Sequence, residues 1–217
     1  MNNNLIPKID YNAHTNLNDY IIDNEELFYG RIIEISGAIS YKTSCLLSIV
    51  KDILNSNPES IILYIDSDNH MCMKYIKDYN IDSDRLIINY DNDPNKILDF
   101  IKRMKESCMD NFFIFIDSIS NLNFKYPFKQ LSKFMISISK LIYGTHIIVI
   151  ATNQYRYNTI QKRFASYCSK CFDLYSSLRL IIMDKINDEL YLVTQKNKIG
   201  TTEDMVVNIG KTDNERL

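Results

Sequence analysis

The segment GRIIEISGAISYKTSCLL, residues 30–47, has the residue types of a phosphate-binding loop between a strand and a helix. In such a loop, backbone N–H groups and the helix N-terminus hold phosphates, a lysine contacts the β and γ phosphates, and the next hydroxyl binds Mg²⁺. The usual spacing is G-x-x-x-x-G-K-[ST]. Here the glycine before the lysine is absent, because the chain continues as Gly37, Ala38, Ile39, Ser40, Tyr41, Lys42, Thr43 and Ser44.

Two registers of this loop are possible. Without a gap, Lys42 takes the place of the second glycine, Thr43 that of the lysine, and Ser44 that of the Mg²⁺-binding hydroxyl. With one deletion, Lys42 and Thr43 form the lysine–hydroxyl pair and Tyr41 replaces the glycine. A side chain where the loop needs glycine predicts weak nucleotide binding and weaker hydrolysis. The candidate nucleotide-binding residues are Gly37, Ser40, Lys42, Thr43 and Ser44, and the alternative is a strand–turn–helix that binds nothing.

Acidic side chains follow two further apolar segments. The segment IILYIDSD, residues 61–68, ends in Asp68, which could orient an attacking water or, alternatively, begin the following helix. The segment FFIFIDSIS, residues 112–120, has a Walker B pattern, in which the acid after an apolar run holds the Mg²⁺ shell. The candidate Mg²⁺ ligands are therefore Thr43, Ser44 and Asp117.

The segment ATNQYRYN, residues 151–158, closes another apolar strand with side-chain amides. Gln154 is placed to sense a γ phosphate and to pass the signal into a loop predicted over residues 155–172. Interleaved cationic and aromatic side chains suit single-stranded nucleic acid, through phosphate pairing and base stacking, although an ordinary loop with buried aromatics is the alternative. The candidate DNA-binding residues are Arg156, Lys162, Arg163, Lys170, Tyr155, Tyr157 and Phe164.

The charges are distributed unevenly along the chain. Residues 1–117 contain 11 basic and 19 acidic side chains, whereas residues 118–172 contain 8 basic and none that is acidic. A surface that faces a polyanion needs few carboxylates, because each one repels a phosphate. The acid-free stretch therefore favours a nucleic acid as partner.

The composition is 46% hydrophobic and 24% charged, which is typical of a soluble globular protein. We expect no membrane span, because no run of 18 apolar residues occurs. The first ten residues lack an apolar signal core, and an odd number of cysteines, five, is scattered through apolar runs. These features predict a cytoplasmic protein with reduced thiols.

Apolar strand-like runs alternate with helical patterns, which predicts an α/β fold with a mostly parallel sheet and crossover helices. Strands are expected at 31–35, 61–66, 85–90, 112–117 and 146–152, and helices at 44–54, 95–105 and 128–142. Residues 178–197 and 204–209 predict a C-terminal antiparallel β extension. We expect an N-terminal arm over residues 1–14 and one core domain over residues 15–217.

In this order, the segments resemble the ATPase core of the bacterial RecA recombinase, from about residue 15 to residue 210. GRIIEISG is similar to the strand before the family's phosphate loop, and YIDSDNH to the strand whose acid activates water, with Asp68 where the family has Glu. FIDSIS resembles the Walker B segment, and TNQYRYN the strand end whose glutamine senses nucleotide. QKNKIG, residues 195–200, resembles a motif whose lysines reach the nucleotide of the adjacent subunit, which implies Lys196 and Lys198 as nucleotide-binding residues.

The resemblance implies a RecA-like P-loop NTPase core with ATP and Mg²⁺ as ligands, single-stranded DNA as partner, and a homo-oligomer or a RecA-family protein as assembly. Because the phosphate loop departs from the family pattern, the first hypothesis is a DNA-associated protein of recombination or repair with weak or lost ATPase activity. It would act as a filament or as an accessory to a recombinase. The alternatives are an active ATP-dependent recombinase that uses Lys42 one place from its usual position, and a non-catalytic protein that polymerises or inhibits a partner.

Overall fold

The computed structural model describes residue 11 and residues 15–37, 41–107, 112–158 and 163–210. Most of the predicted N-terminal arm, Ser40 and Lys162 lie outside these ranges. The strands are β1 (Thr15–Asn16), β2 (Ile32–Gly37), β3 (Ile61–Asp66), β4 (Leu86–Asn89), β5 (Phe112–Asp117), β6 (Ile148–Asn158), β7 (Arg163–Ser166), β8 (Leu178–Ile186), β9 (Glu189–Asn197) and β10 (Met205–Asn208). The α-helices are α1 (Leu17–Asp23), α2 (Glu25–Phe28), α3 (Lys42–Ser56), α4 (Met73–Asp78), α5 (Pro94–Glu106), α6 (Pro127–Ile142) and α7 (Ser169–Tyr175).

The strands form one mixed sheet in the order β1-β10-β9-β8-β2-β6-β5-β3-β4, and β7 pairs with β6 outside this path. The central strands, from β8 to β4, run parallel to one another, whereas β9 runs antiparallel to both β8 and β10. The expected α/β class, with a mostly parallel sheet and crossover helices, is therefore confirmed. The antiparallel strand β9 and its neighbour β10 come last in the chain and extend the sheet beyond β8.

Helices cover both faces of the sheet, which explains why the central strands are almost continuously apolar. Every position of β2 and β5 is buried. One hydrophobic cluster joins the sheet to α1, α3 and α4, and a second joins the other face to α5, α6 and α7. The apolar positions of α6 recur at helical spacing, as Leu131, Phe134, Met135 and Ile138.

The parallel direction brings the carboxyl ends of β2, β3, β5 and β6 to the same edge of the sheet. Asp66 and Asp117 are paired in register on β3 and β5, and Gly37 is paired with Gln154 on β6. Ligands of open parallel sheets bind at this edge. The fold therefore brings the ends of the phosphate-loop strand, the Walker B strand and the glutamine strand to one edge.

The expectation of a loop over residues 155–172 is wrong. Strand β6 continues to Asn158, β7 returns antiparallel to it, and α7 follows. Tyr157 lies opposite Phe164 with ring centroids 5.3 Å apart, and such cross-strand aromatic pairs stabilise a hairpin. We call residues 155–158 and 163–166 the β6–β7 hairpin.

No helix within the described ranges is both long enough and apolar enough to cross a membrane.

Candidate functional site

Helix α3 begins at Lys42, directly after the residue that replaces the loop glycine in the one-deletion register. Tyr41 has φ of −111°, a conformation that any residue adopts, so the backbone here does not require glycine. The Tyr41 ring packs against the core, and the Lys185 ammonium lies 5.8 Å from its centroid. The chain thus accommodates the tyrosine by turning its ring onto the protein itself.

The hydroxyl that follows Lys42 contacts the Walker B acid. Thr43 Oγ1 donates a hydrogen bond of 2.6 Å to Asp117 Oδ2. Ser44 instead forms a hydrogen bond with Tyr79. Burial raises the pKa of Tyr79 above its ordinary value, and the hydrogen bond with Ser44 partly offsets this rise. Because Thr43 and not Ser44 meets Asp117, the geometry favours the register with one deletion.

Two further hydroxyls, which the sequence analysis missed, also converge on Asp117. Tyr64 donates to Asp117 Oδ2 at 2.9 Å, and Thr152 donates to Asp117 Oδ1 at 2.5 Å. Burial, and then the charge of Asp117, raise the pKa of Tyr64 well above its ordinary value, so the phenol stays protonated and donates. We call Thr43, Tyr64, Asp117 and Thr152 the Asp117 cluster.

Asp68 and Gln154, the predicted catalytic residues, are linked through Asn121. The Asn121 amide donates to Asp68 Oδ1, and Gln154 Nε2 donates to Asn121 Oδ1 at 3.5 Å. Burial raises the pKa of Asp68, and the hydrogen bond with Asn121 lowers it. Gln154 Oε1 is buried and has no hydrogen-bond partner among the described residues, so it is available to a ligand.

Lys42 supplies a cation at this edge of the sheet, although it is only 6% exposed. Burial lowers the pKa of Lys42, whereas the charges of Asp117 and Asp68 raise it and that of Arg156 lowers it. The charges of Asp117, Asp68 and Arg156 therefore all act on the Lys42 ammonium group. None of the ion pairs formed within the described ranges includes Lys42. A buried cation without a salt bridge is stabilised by an incoming anion.

Three hydroxyl donors leave the Asp117 carboxylate only one open acceptor position, on Oδ1, for a Mg²⁺ ion that it would ligate directly. Mg²⁺ requires a near-octahedral shell of oxygen atoms, and a carboxylate offers about four lone pairs. Hydroxyl donors already occupy two positions on Oδ2 and one on Oδ1. In the described part of the chain, no group of three His, Cys, Asp or Glu side chains is placed to hold a metal. Mg²⁺ binding by Thr43, Ser44 and Asp117 stays a prediction.

Gly37, at the end of β2, is required by the neighbouring strand. A Cβ atom at this position would lie 2.9 Å from Cβ of Ile182 on β8. Close packing against β8 therefore explains this glycine, and its predicted role in phosphate binding stays a prediction.

A second buried carboxylate, Glu34 on β2, has a cationic partner. Arg179 Nε on β8 lies 2.5 Å from Glu34 Oε2, and Asn153 Nδ2 donates to Glu34 Oε1 at 2.7 Å. Arg179 also donates to Ser166 at 2.8 Å and pairs with Asp173. This Glu34–Arg179 network joins β2 and β8 to β6, to the base of the β6–β7 hairpin and to α7. The sequence signal for this network was a charged residue within each apolar strand segment, Glu34 in IIEI and Arg179 in LRLII.

The β6–β7 hairpin carries most of the described DNA-binding candidates. Tyr157 and Phe164 are each 51% exposed, and Tyr155 stacks on Phe164 with centroids 5.9 Å apart. Arg156 is exposed on the same hairpin, and Lys170 is exposed on α7. Arg163 lies on β7, whereas Lys162 lies outside the described residues.

Lys196 and Lys198 do not lie at the Lys42 edge. Lys196 pairs in register with Arg179, the second residue of β8, so it lies at the amino end of a strand that runs parallel to β2. Its Nζ donates to the carbonyl oxygens of Asp173 and Ser176, both at 2.6 Å. Burial, with the charges of Lys198 and Arg179, lowers the pKa of Lys196 to about 8. A role at the nucleotide of an adjacent subunit stays a prediction for both lysines.

The chain matches no protein-family model and none of the curated protein sequences.

Proposed function

We propose that this chain is a RecA-like protein that binds a nucleotide, associates with single-stranded DNA and hydrolyses ATP weakly or not at all. The observation that carries the proposal is Lys42, a buried cation at the N-terminus of α3, beside Thr43 and Asp117. A helix N-terminus favours anions through its free N–H groups and its dipole. A bound polyphosphate would give Lys42 a direct anionic partner, which it does not have among the described residues.

The arrangement of the strands supports the RecA-like assignment. The segments that resemble the family's phosphate loop, glutamine sensor and Walker B segment lie on β2, β6 and β5, which are neighbours in the sheet. All three end at the edge where parallel sheets bind ligands. Gln154, at that edge, leads directly into the β6–β7 hairpin.

Weak hydrolysis is supported by the groups that would act on the γ phosphate. Asp68 has a shorter side chain than the Glu that the family resemblance implies there, and its carboxylate is held by the Asn121 amide. An attacking water must be oriented within hydrogen-bond reach of its base. The missing glycine before Lys42 also favours weak hydrolysis, because a side chain at that position hinders the close approach of the backbone to the phosphate.

The exposed rings of Tyr157 and Phe164, with the Arg156 cation between Tyr155 and Tyr157, support association with single-stranded DNA. Base stacking on aromatic side chains tolerates any sequence, because every base has a π face. We therefore propose a role in recombination or repair, or in its regulation, either as a filament or as an accessory to a recombinase.

The nucleotide part of this proposal is tested by titrating the protein with a fluorescent ATP analogue. Lys42→Met, which keeps an apolar stem, is expected to weaken binding about tenfold or more, because a buried charge-assisted contact is lost. Lys51→Met, on the same helix but away from its N-terminus, is the matched control and is expected to bind like the wild type. Equal affinities of all three proteins would exclude Lys42 from the phosphate site.

The DNA part is tested by fluorescence anisotropy with a labelled oligothymidylate. Tyr157→Ala and Phe164→Ala are each expected to cost about 1–3 kcal/mol of binding free energy. Tyr143→Ala removes a ring that is 84% exposed next to the end of α6, and we expect it to change nothing. If the three variants bind the oligonucleotide equally well, the hairpin is not the DNA-binding surface.

A further inference from the structure

A cavity of about 410 Å³ opens between the β6–β7 hairpin, α7 and the strands β8 and β9. Its volume lies within the range of roughly 300–1,000 Å³ that is usual for small-molecule sites. The described residues that line it do not include Lys42, Thr43 or Asp117. The cavity is therefore separate from the proposed nucleotide site, and it is called the hairpin cavity below.

One wall of the hairpin cavity is Phe164, a ring that we propose to stack on DNA bases. Side chains alternate along a strand, so Phe164 and Ser166 lie on the same face of β7. Ser166 accepts a hydrogen bond from Arg179, whose side chain is only 4% exposed. The cavity thus extends from a half-exposed aromatic ring to a buried guanidinium group.

The charges in the lining of the hairpin cavity compensate each other. Among the described residues that line it, the charged ones are Asp173 and Arg179, and these two form an ion pair. Arg179 also pairs with the buried Glu34. Because this guanidinium already meets two carboxylates, it has little attraction left for a phosphate. The lining instead suits an uncharged ligand with polar edges.

The polar groups of the lining match the hydrogen-bonding edge of a nucleobase. Asp173 contacts Arg179 through Oδ1, and its side chain is 56% exposed, so Oδ2 can accept a hydrogen bond from a ligand. Ser169 accepts from Arg179 at 3.3 Å, and a hydroxyl that accepts can still donate its own proton. The Gln195 amide offers both a donor and an acceptor. A carboxylate acceptor favours the exocyclic amino group of cytosine, which thymine lacks.

We propose that the hairpin cavity takes up one base of a single strand bound at the β6–β7 hairpin, and that it prefers cytosine to thymine. The base would turn out of the strand, lie against Phe164 and present its amino group to Asp173. Extruded bases are recognised in this way, by hydrogen bonds to their Watson–Crick edge and by contact with aromatic rings. This inference rests on the proposed function, since the strand must first bind the hairpin.

The test compares, by fluorescence anisotropy, the affinities for an oligodeoxycytidylate and an oligothymidylate of equal length. The wild type is expected to bind the oligodeoxycytidylate about tenfold more tightly, because a hydrogen bond to a charged acceptor is gained. Asp173→Ala removes this acceptor and is expected to abolish the preference. Asp99→Ala removes an exposed carboxylate from α5, outside the lining of the cavity, and as the matched control it should keep the wild-type preference.

A second variant fills the hairpin cavity and keeps its carboxylate. Ser169→Leu places an apolar side chain in the lining, so it is expected to abolish the preference for cytosine. Its affinity for the oligothymidylate should equal that of the wild type, since the rings of Tyr157 and Phe164 remain. Circular dichroism verifies that the variants are folded, and Ser169→Leu suffices if Asp173→Ala unfolds.

The outcomes separate this inference from the function on which it rests. Equal affinities of the wild type for the two oligonucleotides would overturn the inference and leave association with DNA standing. A preference that survives in either folded cavity variant would overturn the inference as well. Binding of neither oligonucleotide by the wild type would overturn the proposed association with DNA, and the inference with it.

Discussion

Glu34 and Asp117 are both buried carboxylates on parallel strands separated only by β6, yet their charges are met in different ways. Glu34 receives the Arg179 guanidinium at 2.5 Å, whereas Asp117 receives hydroxyls alone. In the Glu34–Arg179 network the buried carboxylate is paired directly with a cation, as expected of a structural joint between strands. Among the described residues, neither Asp117 nor Lys42 forms an ion pair, and we propose that Lys42 contacts an anion. The mode of charge compensation therefore distinguishes a structural joint from the proposed ligand site.

The largest effect is expected from breaking the ion pair. Arg179→Met leaves Glu34 buried without its cation, which should reduce the free energy of unfolding by about 3–5 kcal/mol. Urea denaturation measures this loss. The double variant Arg179→Met with Glu34→Leu removes both charges and is expected to recover most of the stability. A single variant as stable as the wild type would show that the network is not a structural joint.

Removing the charge of Asp117 should reduce stability less than breaking the ion pair does. It should also raise the affinity for nucleotide. Asp117→Asn replaces one acceptor oxygen by an amide donor that faces buried hydroxyls, so it should cost about 1–3 kcal/mol of stability. It also removes a negative charge that would repel a bound phosphate, and the affinity for nucleotide in the absence of added Mg²⁺ should therefore rise about threefold. Glu34→Gln is the control at the other carboxylate, and its nucleotide affinity should equal that of the wild type. Weaker binding by Asp117→Asn would contradict this electrostatic account.

The two candidate registers of the phosphate loop predict that different hydroxyl groups contribute to nucleotide affinity. Thr43→Val removes the hydroxyl that meets Asp117 and should cost about 1 kcal/mol of stability, together with a loss of nucleotide affinity. Ser44→Ala, one position further along α3, should leave the affinity unchanged because Ser44 faces Tyr79. Titration of both variants with the fluorescent ATP analogue decides between the registers. The reverse result would support the register without a gap.

The smallest expected effect concerns Lys196, whose folded pKa of about 8 lies below its ordinary value of 10.5. Between these pH values the unfolded chain holds the proton that the folded chain has lost, so stability rises with pH. The stabilisation is complete above pH 10.5 and is lost as the pH falls through 8. Between pH 8 and pH 10, the free energy of unfolding of the wild type should therefore rise relative to that of Lys196→Met. Urea denaturation at both pH values measures it, and parallel curves would refute the shifted pKa.

The sequence was sufficient to predict that several candidate residues lie at one edge of the sheet, because an alternation of apolar strands and helices forces parallel strands to end together. Asp117 and Gln154 lie on strands that end there, and Asp68 is linked to Gln154 through Asn121. Tyr64 and Thr152 were not found, since their convergence on Asp117 depends on the register between strands distant in sequence. The hairpin was missed because its aromatic pairs, such as Tyr157 with Phe164, look like loop residues until the strands are paired.

The most direct test is a crystal structure of the chain with a non-hydrolysable ATP analogue. The account predicts a triphosphate at the N-terminus of α3, with a phosphate oxygen within hydrogen-bond distance of Lys42 Nζ. It also predicts that the hydroxyls of Tyr64 and Thr152 remain on Asp117. A nucleotide bound elsewhere, or a triphosphate that avoids Lys42, would contradict it.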